Sequence, residues 1–251
     1  MRSVLERLAR NSVVKRNLPS RFNSIPLYLS PDSQLKYFKF SEKAFDTTLL
    51  DIADRYINEQ SKVWDIGANV GIFAFAAASL ATKGEVIAIE ADIWLAHLMR
   101  RSKNHKKNSD LKIKILPVAV SDQCGIAEFL ISDRGRARNA LKIGHRRDAA
   151  GFREQVLVPT LTLDKLLEYF EQPDFIKIDV EGAEALVLRG ASKVLKNIRP
   201  TIYIEVGPEA TEEVTSILKE NNYQLFDSDI SHHDQISQCA FNTLAIPCER
   251  T

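Results

Sequence analysis

The segment from Val63 to Gly71 combines residue types that can bind a nucleoside-containing ligand. It consists of a short apolar strand ending in Asp65-Ile66-Gly67, a turn through Asn69, and an apolar stretch that begins after Gly71. Two glycines four residues apart permit a tight turn and close approach of a ligand to the backbone, and the following helix offers free N–H groups. Glu90 ends the next apolar strand, 19 residues beyond Gly71. A carboxylate at that position can accept hydrogen bonds from both hydroxyls of a ribose.

The residue types in this turn discriminate between nucleoside cofactors. Dinucleotide-binding turns follow the pattern G-x-G-x-x-G, whose glycines let a pyrophosphate sit at the helix N-terminus. Here Asp65 stands where the first glycine would be, and its carboxylate would repel a pyrophosphate. The same carboxylate suits an ammonium group, and the backbone beside Gly67 can receive a carboxylate. S-adenosylmethionine carries both groups and a ribose for Glu90, which makes it the predicted cofactor. In the alternative interpretation, the glycines only turn the chain and Glu90 caps the next helix.

Alternating strands and helices are predicted around this turn. The predicted strands are Val63–Ile66, Glu85–Ile89, Ile113–Leu116, Phe175–Ile178, Thr201–Val206 and segments around Gln224–Phe226 and Phe241–Ile246. The predicted helices are 45–57, Ile93–His105, Ala183–Lys196 and Thr211–Asn221. Strands that alternate with helices form parallel βαβ units, so the pattern predicts an α/β fold with a doubly wound sheet.

Two acidic residues are expected at the edge of that sheet where a second ligand would bind. Asp179 and Glu205 follow adjacent predicted strands, and ligands of open α/β sheets bind outside the carboxyl ends of the strands. A carboxylate there can accept the proton of an acceptor hydroxyl or hold that hydroxyl in line with a reactive methyl group. Glu181 and Lys177 flank the same strand end, so catalytic roles are predicted for all four residues. Glu181 and Glu184 can instead cap the next helix, and for Glu184 we prefer that interpretation.

A basic stretch from Arg134 to Arg147 contains six Lys and Arg residues and no acid. Charge runs of this kind usually form a solvated surface. Alternatively, the arginines Arg136, Arg138, Arg146 and Arg147 clamp a phosphate or carboxylate of the acceptor, which leaves an anionic acceptor open. Three carboxylates near the sheet edge could hold a divalent cation, but no fixed spacing identifies such a site, so no metal is predicted.

The sequence divides into a lead-in and one domain. Residues 1–44 are predicted to be a basic, irregular lead-in, because the first 22 residues hold six Lys and Arg against one Glu, and Pro19, Pro26 and Pro31 interrupt the stretch that follows. Residues 45–251 form the predicted domain, with an insertion at about 125–174. Within the insertion, Ala127–Ile131 and Gln155–Val158 are predicted to pair as strands.

Composition excludes several classes of function. The chain has 251 residues and a net charge of +1, which argues against a dedicated nucleic-acid binder. The longest apolar run, Val70 to Ala81, has 12 residues and is shorter than the ~20 that a membrane span needs. The three cysteines are scattered and odd in number, so a reducing compartment, the cytoplasm, is expected. Oligomeric state is open.

Further motifs give the chain a specific resemblance. The stretch from Phe175 to Glu184 (FIKIDVEGAE), followed by LVLRGA from Leu186, resembles the signature of FkbM-family methyltransferases. The Asp65–Gly71 turn, PVAVSD from Pro117 and LTLD from Leu161 add to this resemblance, which runs from about residue 63 to 226.

The resemblance implies a Rossmann-like class I methyltransferase fold, with a mostly parallel seven-stranded sheet and helices on both faces. It also implies methyl transfer from S-adenosylmethionine to oxygen on sugars, glycans or other small natural products. The cofactor-binding residues that it implies are Asp65, Gly67, Asn69, Gly71 and Glu90, with Ala119 to Asp122 near the adenine.

Two functions of other classes are weighed against methyl transfer. A nicotinamide-dependent oxidoreductase can use the same kind of sheet, but Asp65 stands where a pyrophosphate turn requires glycine. A non-catalytic protein can keep the cofactor fold without the acceptor chemistry.

Overall fold

The computed structural model describes residues 9–10, 12–39, 44–45, 47–133, 135–142, 151–228 and 234–250. The strands are β1 Val14–Asn17, β2 Pro26–Leu29, β3 Lys62–Ile66, β4 Glu85–Ile89, β5 Ile113–Leu116, β6 Ala119–Val120, β7 Gly125–Ser132, β8 Ala140–Leu141, β9 Phe152–Leu161, β10 Phe175–Ile178, β11 Thr201–Glu205, β12 Tyr223–Asp227, β13 Gln235–Ile236 and β14 Asn242–Pro247. The α-helices are α1 Thr47–Tyr56, α2 Ile72–Leu80, α3 Ile93–Lys103, α4 Leu163–Leu166, α5 Glu184–Arg189 and α6 Thr211–Glu220. None of these helices has the length and apolarity needed to cross a membrane.

The main sheet has the strand order β13-β12-β14-β11-β10-β3-β4-β5. The five strands from β11 to β5 are parallel, whereas β12, β13 and β14 join through antiparallel pairs. The predicted α/β fold is therefore confirmed, but the sheet is mixed and has eight strands in place of seven. No crossover helix separates β12 from β14 in the described chain, so β14 returns antiparallel and lies between β12 and β11.

Helices cover both faces of this sheet, which explains why its central strands are mostly apolar, with Asp65 on β3 and Lys177 on β10 as buried exceptions. Val63 packs in the cluster that contains α1, α2 and α3, and the next residue, Trp64, packs in the cluster that contains α5 and α6. Successive side chains of a strand point to opposite faces, so a strand covered on both sides is a continuous apolar run. The helix predicted over Ala183–Lys196 is interrupted at Gly190, where a Cβ would lie 2.3 Å from the carbonyl oxygen of Ser121.

The lead-in forms a β-hairpin. Strands β1 and β2 pair antiparallel. Phe22, which lies between them, and Leu27 and Leu29, which lie on β2, are completely buried in the core that also contains α1 to α3. The Ser102 hydroxyl on α3 accepts a hydrogen bond from the Tyr28 N–H at 2.9 Å. The expectation of an irregular lead-in is therefore wrong for residues 14–29. Pro26 begins a strand here, a position that tolerates proline, and does not interrupt regular structure.

The insertion forms a small sheet of its own above the carboxyl edge of the main sheet. Strand β7 pairs antiparallel with β9, so the predicted strand pair is confirmed, with Ala127 opposite Val158. Phe129 and Leu141 of the insertion pack with Ala91 and Ala183, which follow β4 and β10. The insertion is thereby held against the end of the main sheet where the predicted site residues lie.

Candidate functional site

A cleft lies where the carboxyl ends of β3, β4 and β10 meet the insertion. It encloses about 560 Å³, part of it open to solvent. Six of the predicted site residues line it: Gly67, Asn69, Glu90, Ala119, Asp179 and Glu181. The insertion supplies the facing wall, with Phe129, Arg136, Asn139 and Leu141.

The turn after β3 is fixed by close backbone packing. Gly67 has a positive φ of 74°, and a Cβ at this position would lie 1.8 Å from the carbonyl oxygen of Asp179. The N–H groups of Gly67 and Ala68 both donate to the carbonyl of Ile89 at 2.9 Å. Gly71, also at positive φ, precedes helix α2. Only glycine fits at Gly67, because any side chain would separate β3 from β10.

Glu90 presents a fixed carboxylate to the cleft. Its Oε2 accepts a hydrogen bond from the Asn69 N–H at 2.7 Å, and its Oε1 accepts one from the Asp92 N–H at 2.8 Å. Burial raises the pKa of Glu90 to about 7. Each carboxylate oxygen can accept more than one hydrogen bond, so both keep capacity for the two hydroxyls of a ribose. The cleft wall at Glu90 therefore fits the nucleoside part of S-adenosylmethionine.

Asp65 lies beneath the turn and does not line the cleft. Its side chain is completely buried, and the Lys177 ammonium lies 3.2 Å from its Oδ1 and 3.4 Å from Oδ2 of Asp179. Lys177 also donates to the carbonyl oxygen of Gly67 at 3.1 Å. Burial would lower the pKa of Lys177, but the carboxylates of Asp65, Asp179 and Glu205 outweigh burial and raise it. Lys177 is thus a buried cation that ties β3 to β10, and direct contact between Asp65 and the cofactor stays a prediction.

The three acidic residues with predicted catalytic roles lie at or just after the carboxyl ends of β10 and β11. Asp179 and Glu205 end adjacent parallel strands as expected, since Ile178 pairs with Ile204. Asp179 lines the cleft with a quarter of its side chain exposed, whereas Glu205 does not line it. Glu181 is exposed at the mouth of the cleft and has a positive φ of 51°. The surrounding protein and the charges of Asp179 and Glu205 nevertheless raise the pKa of Glu181 to about 7.

Two further predicted residues have different surroundings. The carboxylate of Asp122 accepts a hydrogen bond from the Ser121 hydroxyl at 3.2 Å and lies 3.9 Å from the Arg189 guanidinium. The structure therefore brings Ala119 to the cleft but does not bring Asp122 there. Glu184 begins helix α5, where a negative charge is favourable, and it accepts a hydrogen bond from the Gly182 N–H at 2.6 Å just before that helix.

Sequence reasoning missed a buried ionic cluster that joins the lead-in to the insertion. The Asp32 carboxylate lies 3.0 Å from Arg136 Nε and accepts hydrogen bonds from two nitrogens of Arg153 at 2.6 and 3.1 Å. The three side chains are 2%, 11% and 14% exposed, respectively. One signal was present in the sequence, because Asp32 is the only acid between Glu6 and Glu42.

Asp92 extends this cluster to the cleft. Its Oδ1 accepts a hydrogen bond from the Trp94 N–H at 2.8 Å, which caps helix α3. Its Oδ2 accepts hydrogen bonds from Arg136 and, at 2.7 Å, from Asn139. Arg136 is therefore held by two carboxylates, which disfavours the alternative in which it clamps an acceptor. Arg134, Arg146 and Arg147 lie outside the described residues.

The lead-in also contacts the cofactor turn directly. The Ser33 hydroxyl donates to Oδ1 of Asn69 at 2.6 Å, and the Arg136 N–H donates to the carbonyl of Asp32 at 2.9 Å. Residues 32–33 thus join both walls of the cleft.

Within the described ranges, no three His, Cys, Asp or Glu side chains are grouped in a way that could hold a metal ion.

Comparison with protein families identifies the chain. The model of the methyltransferase FkbM domain matches residues 65–225, so this protein belongs to the FkbM methyltransferase family. The predicted family is confirmed, and S-adenosylmethionine is the cofactor of that family. No curated protein matches the chain significantly.

Several solved structures are similar to the chain. An FkbM methyltransferase from Methylobacillus flagellatus KT is 17% identical with a TM-score of 0.47, and the match covers 75% of this chain and 44% of that one. TYW2 from P. horikoshii, in complex with MeSAdo, is 14% identical with a TM-score of 0.49, covering 94% and 70% of the two chains. A SAM-dependent O-methyltransferase from Thermotoga maritima is 13% identical with a TM-score of 0.46, covering 90% and 75%. This chain thus spans less than half of the FkbM structure that it matches.

Proposed function

We propose that this protein transfers a methyl group from S-adenosylmethionine to a hydroxyl of a sugar, a glycan or another small natural product. One observation carries the proposal: a single cleft has the fixed carboxylate of Glu90 on one wall and the carboxylates of Asp179 and Glu181 on another. The Glu90 carboxylate suits the hydroxyls of a ribose, and the carboxylates of Asp179 and Glu181 suit an acceptor hydroxyl that loses its proton. The family match supports the transfer of methyl groups.

The residues around the turn would hold the cofactor. Glu90 would accept hydrogen bonds from the ribose hydroxyls, and the backbone beside Gly67 and Asn69 would lie against the amino-acid part. When bound, S-adenosylmethionine supplies an electrophilic methyl group on a sulfonium. Phe129 and Leu141 of the insertion would exclude water from that part of the cleft.

Glu181 is the best candidate to take the proton of the acceptor. A hydroxyl is a poor nucleophile at neutral pH, and a general base is most effective when its pKa lies near the working pH. The pKa of about 7 at Glu181 meets that condition. Its left-handed backbone is sparsely populated by residues other than glycine, asparagine and aspartate, and such strain is concentrated at functional sites.

Asp179 would hold the acceptor hydroxyl in line with the methyl group, and Lys177 would position Asp179. The Lys177 ammonium lies 3.4 Å from the Asp179 carboxylate and orients it. Glu205 would contribute negative charge from the adjacent strand without touching the acceptor, since it does not line the cleft.

A reducing compartment, the cytoplasm, is the proposed location. Cys124, Cys239 and Cys248 are all free thiols. A small-molecule acceptor is proposed over a nucleic acid, since the chain has a net charge of only +1.

The transfer reaction tests this function. The purified protein is incubated with S-adenosylmethionine labelled in its methyl group and with a panel of sugars and hydroxylated small molecules. We expect label in at least one hydroxyl acceptor, and Glu181→Gln should lower turnover by about 10²-fold or more with unchanged affinity for S-adenosylhomocysteine. Glu209→Gln, an exposed residue outside this cleft, is the matched control. Label on nitrogen only, or equal turnover by Glu181→Gln, would contradict the proposal.

A further inference from the structure

A second groove adjoins the cofactor cleft at the carboxyl edge of the sheet. It contains about 970 Å³, part of it open to solvent. Its main lining residues are Leu130, Arg138, Leu141, Lys142, Glu181 and Phe241. Glu181 and Leu141 line both spaces, so the two adjoin at the candidate base.

Phe241 gives this groove an aromatic wall. Its side chain is 60% exposed, although large aromatic side chains are usually buried. The backbone fixes it there, because the Val206 N–H donates to the Phe241 carbonyl at 2.8 Å, directly beyond the pairing of Glu205 with Asn242. An exposed ring beside a groove can pack against the C–H face of a ligand ring, and aromatic residues are common in ligand sites.

Arg138 gives the groove an available positive charge. The other arginines that the structure describes in this region, Arg136 and Arg153, are held by Asp32 and Asp92, and the Lys142 ammonium lies 2.6 Å from the Glu128 carboxylate. Arg138 is exposed, and no carboxylate among the described residues forms an ion pair with it. The guanidinium is therefore free to bind a carboxylate or a phosphate.

The groove carries charges of both signs. The Glu181 carboxylate lies at its boundary with the cofactor cleft, with Asp179 beyond it, and Arg138 contributes a positive charge that also acts on Glu181. A ligand that carries both a hydroxyl and an anionic group matches this pair of charges. The reversed orientation would place the anionic group against Glu181 and Asp179, where like charges repel.

We propose that this groove is the acceptor subsite and that it takes a hydroxylated ring carrying an anionic group, a carboxylate or a phosphate. The ring packs on Phe241, the anionic group binds Arg138, and one hydroxyl reaches Glu181 at the boundary with the cofactor cleft. This assignment rests on the proposed function and specifies the chemical class of its acceptor.

Three simple sugars test the assignment. The full chain is saturated with S-adenosylhomocysteine, and glucose, glucuronate and glucose 6-phosphate are titrated separately with ligand-observed NMR at low salt. We expect at least one anionic sugar to bind about fivefold more tightly than glucose, as for one partly exposed charge pair. Arg138→Gln should abolish this preference, and Phe241→Ala should weaken all three sugars. Arg100→Gln on α3, which is also exposed, is the control and should change nothing.

The outcomes separate the two anionic groups and the two proposals. Preference for glucuronate alone assigns a carboxylate, and preference for glucose 6-phosphate alone assigns a phosphate. Three outcomes would overturn the subsite while leaving the proposed function in place. These are equal binding of all three sugars, binding of none of them, and a preference for an anionic sugar that survives in Arg138→Gln. Failure of S-adenosylhomocysteine itself to bind would overturn the proposed function, and the subsite with it.

Discussion

Replacing Asp32 by asparagine removes the charge that joins the lead-in to the insertion. Asparagine has nearly the same shape as aspartate, so the change leaves packing intact and removes the ion pairs with Arg136 and Arg153. Both guanidiniums are almost buried, so water replaces the lost carboxylate only in part. Asp32 is the only salt-bridge partner of Arg153 among the described residues.

The expected loss of stability follows from these surroundings. Removing one partner of a buried ion pair typically costs about 3–5 kcal/mol. Arg136 keeps Asp92, and the asparagine oxygen still accepts one hydrogen bond, so the loss should lie at or just below the lower limit of that range. We therefore expect the free energy of unfolding to fall by about 2–3 kcal/mol.

Urea unfolding at pH 7 measures this difference in the free energy of unfolding. The slope of that free energy against urea concentration should be the same in Asp32→Asn and in the wild type. The matched control is Asp51→Asn, which breaks the exposed pair between Asp51 and Arg21 and should cost less than about 1 kcal/mol. Asp32→Asn should also weaken binding of S-adenosylhomocysteine, because Arg136 lines the cleft. Equal stability of the two variants, or cofactor affinity that does not respond to Asp32→Asn, would show that the Asp32 charge does not hold the lead-in and the insertion together at the cleft.

Three other changes have defined outcomes. Gly67→Ala should abolish cofactor binding and lower the melting temperature, because its Cβ would lie 1.8 Å from the Asp179 carbonyl; thermal unfolding that matches the wild type would contradict the packing described. Lys177→Met should lower the free energy of unfolding by about 3–5 kcal/mol in urea, because it leaves the carboxylate of Asp65 buried without its cation. Burial raises the pKa of Glu90 to about 7 in the folded protein, whereas in the unfolded chain the same side chain ionises above about pH 4.5. The contribution of Glu90 to the free energy of unfolding should therefore fall by roughly 3 kcal/mol as the pH rises from about 4.5 to about 7. Urea unfolding from pH 5 to 8 should show this fall in the wild type, and Glu90→Gln should lack it.

Local sequence patterns predicted the part of the site that consecutive residues build. The turn from Asp65 to Gly71 and the acid at Glu90 follow apolar strands, and parallel strands bring their carboxyl ends together. The same rule placed Asp179 beside Glu205. These predictions needed only the order of the elements, which hydrophobic periodicity reveals.

The remaining features depend on contacts between distant parts of the chain. Asp32 and Arg153 are 121 residues apart, and no local pattern links them. The complete burial of Asp65 was not predictable either, because a buried carboxylate needs a nearby cation, and that cation is Lys177 on another strand. Likewise, the carbonyl of Ser121 leaves no room for a side chain at Gly190, where helix α5 ends, and helical periodicity does not reveal this contact.

The most direct test of the central claim is a calorimetric titration of the full chain with S-adenosylhomocysteine. The cleft at Glu90 should bind it, and Glu90→Ala should lose at least about tenfold in affinity, because it removes the hydrogen bonds to the ribose and the one that fixes the Asn69 turn. Glu85→Ala, at the opposite end of the same strand, should bind as the wild type does. Binding that is absent in the wild type, or equal in the two variants, would contradict the account.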